Sequence, residues 1–216
     1  MGESGGGKST VANLIARFWD VSEGSVTVGG VDVRELDYAD LMKHISIVFQ
    51  DTNLFKMSVA ENVAMYKPGA SREEIMEALR QARCEDILEK LPNGVDSVIG
   101  ARGVYLSGGE MQRIALARAI LKDAPIVLLD EATAFADAEN EYLIQKALDV
   151  LLRGKTVLMI AHRLQTIVHA DQIIVMQRGG IAEQGTHEEL MQRQGVYAKM
   201  YHEYENSVSW KIGGWA

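Results

Sequence analysis

No stretch of this chain constrains its fold more than Gly2-Glu3-Ser4-Gly5-Gly6-Gly7-Lys8-Ser9-Thr10. Its glycines permit tight, partly left-handed turns that a side chain resists, so successive backbone amides can point into one hollow. From Lys8 onward the pattern turns helical, with Val11, Leu14, Ile15 and Phe18 on one stripe. The amides of that first helical turn face the same hollow, which suits an anion. The residues fit G-x-x-x-x-G-K-[ST]. That pattern assigns Gly2, Ser4, Gly5, Gly6, Gly7, Lys8, Ser9 and Thr10 to a nucleotide's phosphates, with the Ser9 hydroxyl on Mg²⁺. A flexible glycine-rich terminus is the competing reading of the loop taken alone. The loop by itself does not choose among phosphate-handling families.

Composition narrows the class. At 216 residues, 47% hydrophobic and 24% charged, the chain has the make-up of an ordinary globular domain. Its net charge of −8 argues against broad nucleic-acid binding, which needs a basic face, but leaves a local phosphate site open. Cys84 is the single cysteine, so no internal disulfide forms, and a buried free thiol is the expectation for it. No apolar run approaches the ~18 residues that cross a bilayer. No basic region followed by an apolar core marks a signal peptide, so the chain as given reads as soluble.

Along the chain, Ser25 to Val33 alternates apolar and polar residues around Gly29-Gly30, a hairpin pattern. Leu41 to His44 reads as a short helical piece and Ile45 to Phe49 as a buried strand ending at Gln50-Asp51. Helical spacing then runs over Ser58 to Met65, Arg72 to Arg83 and Glu85 to Leu91, broken by Lys67-Pro68-Gly69 and Pro92-Asn93-Gly94. Strand–helix alternation returns with strands over 126–130, 155–160, 172–176 and 181–184 and helices over 138–152 and 163–168. Such alternation predicts a mostly parallel sheet with helices on its faces and a helical lobe inserted into it. Thr186 to Gln194 and Val196 to Glu205 read as terminal helices, and residues 206–216 as a tail without clear period.

Further constellations fall at strand ends and at one helix start. Ile126-Val127-Leu128-Leu129-Asp130-Glu131 is a buried strand ending in acids, and ligands of open α/β sheets lie beyond such carboxyl ends. The order gives Asp130 to Mg²⁺ and Glu131, one residue further out, to the attacking water as general base. Standing alone, the pair reads as an acidic strand cap. Leu106-Ser107-Gly108-Gly109-Glu110 opens an apolar helix, and Ser107 with Glu110 makes a capping box. The box does not require two consecutive glycines, which weaken a helix. They make sense where something approaches the backbone closely at an anion-seeking helix start. His162 and Gln50 each follow a predicted strand: the histidine offers a hydrogen bond to the γ-phosphate or water, and the glutamine an amide oxygen to metal or water.

With these residues in view, the chain resembles the nucleotide-binding domain of ABC transporters from Gly2 to about Tyr204. The resemblance rests on a Walker A loop (Gly2 to Ser9), a Q-loop glutamine (Gln50) and an LSGGE signature (Leu106 to Glu110, continuing Met111-Gln112-Arg113). A Walker B strand (Ile126 to Asp130), catalytic Glu131, a D-loop ending at Asp137 and a switch His162 complete it. It implies an α/β P-loop NTPase fold of RecA-like type, with core residues 1–50 and 122–205 and a helical subdomain over 51–121. It implies ATP and Mg²⁺ as cofactors, with Ser9, Gln50 and Asp130 at the metal. Gly2 to Thr10 would bind one nucleotide, and Ser107, Gly108, Gly109, Glu110 and Asp137 would belong to the cap. The partners implied are a second nucleotide-binding domain, joined head to tail, and a transmembrane domain, with no nucleic acid. The place implied is the cytoplasmic face of the cell membrane. The segment FQDTNLFKMSVAENV is similar to exporter-type domains, and Asp130-Glu-Ala-Thr-Ala-Phe-Ala-Asp137 to a bacterial subgroup that includes siderophore-related transporters.

The chain departs from the family at its start. A phosphate loop normally follows a buried strand, and here only Met1 precedes Gly2. A missing strand removes several buried aliphatics worth about 1.5–3 kcal/mol each, against a total stability of about 5–15 kcal/mol. The expectation is a C-terminal piece of a longer transporter that, alone, is poorly stable and binds ATP weakly. An inactive truncated fragment and a soluble ABC-type ATPase unrelated to transport are the competing readings; the latter would be expected to carry coiled-coil insertions or basic arms.

Overall fold

The computed structural model describes residues 1–2, 5–49, 52–100, 103–130, 138–161 and 164–213. They fall into two compact units, Ser22–Met159 and Met1–Val21 with Ile160–Ala216.

The first unit opens with the hairpin. Strands Thr27–Val28 and Val31–Asp32 pair antiparallel across Gly29 and Gly30. Both glycines have positive φ, at 60° and 83°. A two-residue turn of this hand matches the twist of the strands it joins, and glycine is what adopts it without strain. Helix Tyr38–Lys43 starts earlier than the hydrophobic pattern alone indicates, because the Asp37 carboxylate accepts from the amides of Ala39 and Asp40. Strand Ile45–Val48 follows and pairs in parallel with Ile126–Asp130, Val48 opposite Leu129. Thr156–Ile160 flanks the other side of Ile126–Asp130.

Helices Val59–Ala64, Arg72–Gln81 and Glu85–Lys90 form where their spacing predicts, the first two each started by a Ser and Glu capping box. Helix Gly108–Lys122 is the spine of the unit, with Ile114, Leu116 and Ala117 all fully buried. One contiguous apolar cluster joins it to Val63 and Leu79 of the flanking helices, to Val127 and Leu129 of the sheet, and to Ile144 and Leu148 of helix Ala138–Leu151. A helix buried nearly all round shows little amphipathic stripe, so its apolar residues are spread over its surface. Cys84 lies in this cluster, and burial pushes its thiol pKa up, which suits an inert core residue.

In the second unit, strand Ile173–Gln177 turns back antiparallel onto Gly180–Gly185. Helix His187–Gln192 is begun by a Thr186 and Glu189 capping box, and Tyr197 is fully buried with its hydroxyl 2.7 Å from His187 Nδ1. The Glu183 carboxylate accepts from the amides of Val196 and Tyr197 and so starts the last helix. That helix spans Val196–Gly213, which corrects the reading of the tail as irregular over 206–213. Residues 163–168 are likewise corrected: the turn there is a short 3₁₀ segment, Leu164–Ile167.

The start of the chain is also tied down. Gly2 bridges Met176 in parallel. The N-terminal amine donates to the Ile174 carbonyl at 2.7 Å, and the Met176 amide to the Met1 carbonyl at 2.7 Å. Strand pairing in front of the phosphate loop is therefore present over Met1 and Gly2, where the sequence reading has no strand.

Candidate functional site

The phosphate loop lies wholly in the unit that contains Met1. Gly2 is required at its base, because a Cβ there would stand 2.1 Å from the Met176 carbonyl oxygen. Gly7 is the N-cap of helix Lys8–Ile15 and holds φ 95°, with no side chain capping the first turn. Left-handed backbone followed directly by a helix start turns amide groups toward one side, which is how such a loop meets an anion. Lys8 is only 8% exposed, and its Nζ donates to the Gly2 carbonyl at 2.8 Å, so the ammonium is folded back over its own loop. Gly6 is buried, while Ser9 and Thr10 are exposed. The helix is shorter than its stripe suggests. It stops at Ile15, where Arg17 takes positive φ, and Phe18 is 42% exposed rather than buried. Glu3 and Ser4 lie outside the described residues.

The LSGGE stretch is built in the other unit. Leu106 is buried and anchors the segment, and Ser107 begins helix Gly108–Lys122 with a complete capping box. Ser107 Oγ accepts from the Glu110 amide at 3.3 Å, and the Ser107 amide donates to Glu110 Oε2 at 2.8 Å. The other carboxylate oxygen of Glu110 takes Lys90 Nζ at 3.2 Å. Burial alone would raise the Glu110 pKa. Bonds from the Ser107 amide and Lys90 outweigh it and hold the carboxyl below its usual range. Gly108 is exposed, whereas Gly109 is buried against Asn140: a Cβ there would stand 2.7 Å from both Cβ and Cγ of that residue. Close helix packing thus gives Gly109 a reason of its own to lack a side chain.

Behind the cap sits a fully buried arginine. Arg113 donates to both oxygens of Asp86, at 2.6 and 2.9 Å, and to the Arg83 carbonyl. The guanidinium beside it holds the Asp86 carboxyl below the ordinary value. Lys90, Asp86 and Asn140 carry no motif of their own in the sequence. Helical spacing over Glu85 to Leu91 places the first two on one surface one turn apart, but nothing in it names the partner helix.

In the same unit, Asp130 closes strand Ile126–Asp130 and is half-buried. The parallel partner Ile45–Val48 ends at the same sheet edge. Gln50, Glu131, Asp137 and His162 lie outside the described residues. Among the described residues, no group of three or more His, Cys, Asp or Glu is gathered to hold a metal ion. The donors expected for Mg²⁺, Ser9, Gln50 and Asp130, all offer oxygen, the ligand type this hard cation takes. No described helix is long and apolar enough to cross a membrane.

Comparison with known proteins points one way. The ABC transporter family model matches residues 1–134. The ATP-dependent lipid A-core flippase of Legionella pneumophila (strain Paris) is 49% identical over 93% of this chain, which covers 34% of that protein. The mycobactin import ATP-binding/permease protein IrtA of Mycolicibacterium smegmatis is 52% identical over 93% of the chain, covering 23% of that protein. Among solved structures, a bacterial Atm1-family ABC exporter with ATP bound superposes with a TM-score of 0.86 at 42% identity, over 94% of this chain and 35% of that one. The chain therefore spans about a third or less of the length of these relatives.

Proposed function

We propose, from the premise that this chain belongs to the ABC transporter family, that it binds and hydrolyses ATP to power transport across a membrane as one half of a head-to-tail pair. One observation carries this reading: a single chain holds two differently built, anion-seeking helix starts. Lys8–Ile15 begins at left-handed Gly7, and Gly108–Lys122 begins at Ser107. A loop lysine and a serine-led cap have distinct chemistry. The first supplies a charge to the outer phosphates, and the second supplies a hydroxyl and helix-start dipole to a γ-phosphate from the far side. They act on different nucleotides, each shared between two copies of the domain.

On this reading the amides of Gly2 to Gly7 and the Lys8 ammonium take the phosphates of ATP. Lys8 gives up its bond to the neutral Gly2 carbonyl in exchange for one to an anionic phosphate oxygen. Ser9, Gln50 and Asp130 would hold Mg²⁺, which supplies charge neutralisation on the phosphates. Glu131 orients and deprotonates the attacking water, with His162 keeping water and γ-phosphate in register and Asp137 lining the pair's interface. Residues 1–50 and 122–205 form the ATP-binding core and 51–121 the signature-bearing subdomain. The membrane-spanning part is the remaining partner, and the domain works at the cytoplasmic face. Relatives whose names join ATP-binding to permease support that arrangement.

Glu131→Gln tests the reading. In the intact polypeptide carrying this chain, the variant retains ATP binding, loses turnover by about 10²-fold or more and accumulates as an ATP-bound dimer. Undiminished hydrolysis would remove Glu131 from its role.

A further inference from the structure

We infer that Lys90 is a positioning residue for the signature cap: it neutralises Glu110 so that the start of helix Gly108–Lys122 can accept a γ-phosphate. The inference rests on the capping role proposed above for Ser107.

It begins from a conflict of charge. A helix N-terminus attracts anions, yet the third residue of this helix is a carboxylate whose Oε2 already takes the Ser107 amide. That carboxylate helps the helix to start and repels the ligand the cap is meant to meet. Lys90, the last residue of helix Glu85–Lys90, places its ammonium 3.2 Å from Glu110 and 3.8 Å from Asp86. Asp86 in turn holds Arg113. Lys90 and Arg113 thus balance Glu110 and Asp86, and removing Lys90 leaves the group with one net negative charge.

Folding stability does not explain the lysine. It is 67% exposed, and an ion pair so open to water contributes little to holding a fold. Its partner is different, since Glu110 is only 14% exposed and points along the helix start. At the third residue of the helix start proposed to meet the γ-phosphate, an uncompensated charge acts on an ion bearing several charges of its own. At an effective dielectric of about 40–80 this amounts to roughly a threefold to tenfold loss of affinity. The effect falls with added salt, as an electrostatic one must.

The experiment measures ATP turnover against ATP concentration in the intact polypeptide carrying this chain. The variants are Lys90→Met, Lys90→Arg, Glu110→Gln, Lys90→Met with Glu110→Gln, and Ser107→Arg. Lys90→Met is expected to raise KM for ATP about threefold to tenfold at low salt, with kcat little changed. Lys90→Arg should stay near the parent. In the double variant, Lys90→Met with Glu110→Gln, the group is neutral again, with Arg113 balancing Asp86, and KM should return to near the parent. A raised KM that persists in the double variant, or no rise in Lys90→Met alone, overturns the inference. If Ser107→Arg leaves turnover unchanged, the capping role itself fails, and that result is separate from the Lys90 comparison. A general loss of packing would lower kcat and the melting temperature in both Lys90→Met variants, and it too counts against the inference.

Discussion

Gly109 shows how much one missing carbon decides. Helices Gly108–Lys122 and Ala138–Leu151 meet so closely there that any Cβ would overlap the Asn140 side chain. Gly109→Ala should therefore destabilise the protein by about 1–3 kcal/mol, the usual range for forcing volume into a packed site. Urea denaturation of the variant beside the parent measures this, and an unchanged midpoint would mean the helices separate freely. The two adjoining glycines look alike in the sequence. Neither spacing nor composition announces that one faces a neighbouring helix, because Asn140 is 31 positions away and in no motif. The capping box was legible, since its two bonds run between Ser107 and Glu110, three residues apart. The packing requirement was not, because it depends on where a second helix crosses.

The same contrast governs whole elements. Helices with a serine or threonine followed three residues later by glutamate begin where that pattern stands, at Ser58, Ser71, Ser107 and Thr186. Strands Met57–Ser58 and Val98–Ile99 left no trace in the periodicity, being two residues each and paired across some forty positions. The last helix starts at Val196 as its pattern indicates, where Glu183 of a preceding strand accepts from its first amides, but runs on past Glu205 to Gly213. Between elements, the Arg113–Asp86 pair ties helix Glu85–Lys90 to helix Gly108–Lys122 and makes a pH prediction. Arg113 holds the Asp86 carboxyl below 3.8 in the folded state. A carboxyl depressed by folding binds fewer protons there than when unfolded, so its contribution is fully present above 3.8 and is lost as the pH falls through the lower, folded value. Asp86→Asn should thus be less stable than the parent near neutrality, and the two should converge in acid. Asp86 is 43% exposed, so water screens the pair and the loss stays well under the about 3–5 kcal/mol of a wholly buried one. Denaturant midpoints at several pH values follow the convergence. A gap that is constant with pH would assign the effect to shape rather than charge.

For the molecule as a whole, the family was legible because its chemistry is written in short contiguous runs: a glycine loop with lysine, a serine-led cap, acids at a strand end. What the runs leave open is which loop works with which cap, since that depends on how copies of the chain are arranged. A complementation experiment in the intact polypeptide decides it. Lys8→Ala removes the charge at the loop, and Ser107→Arg fills the cap. In a head-to-tail pair each nucleotide uses the loop of one copy and the cap of the other. With both changes on one copy and none on its mate, both sites are damaged: one lacks its lysine and the other its serine. With the changes divided between copies, both defects fall on the same nucleotide and the second site keeps an unaltered loop and cap. ATP-dependent closure at one site should therefore survive in the divided pair and be lost in the pair with both changes on one copy. If loop and cap of a single copy served the same nucleotide, the two outcomes would exchange places. Differently tagged copies purified as mixed pairs, with bound nucleotide counted per pair, separate these arrangements without reliance on absolute rates.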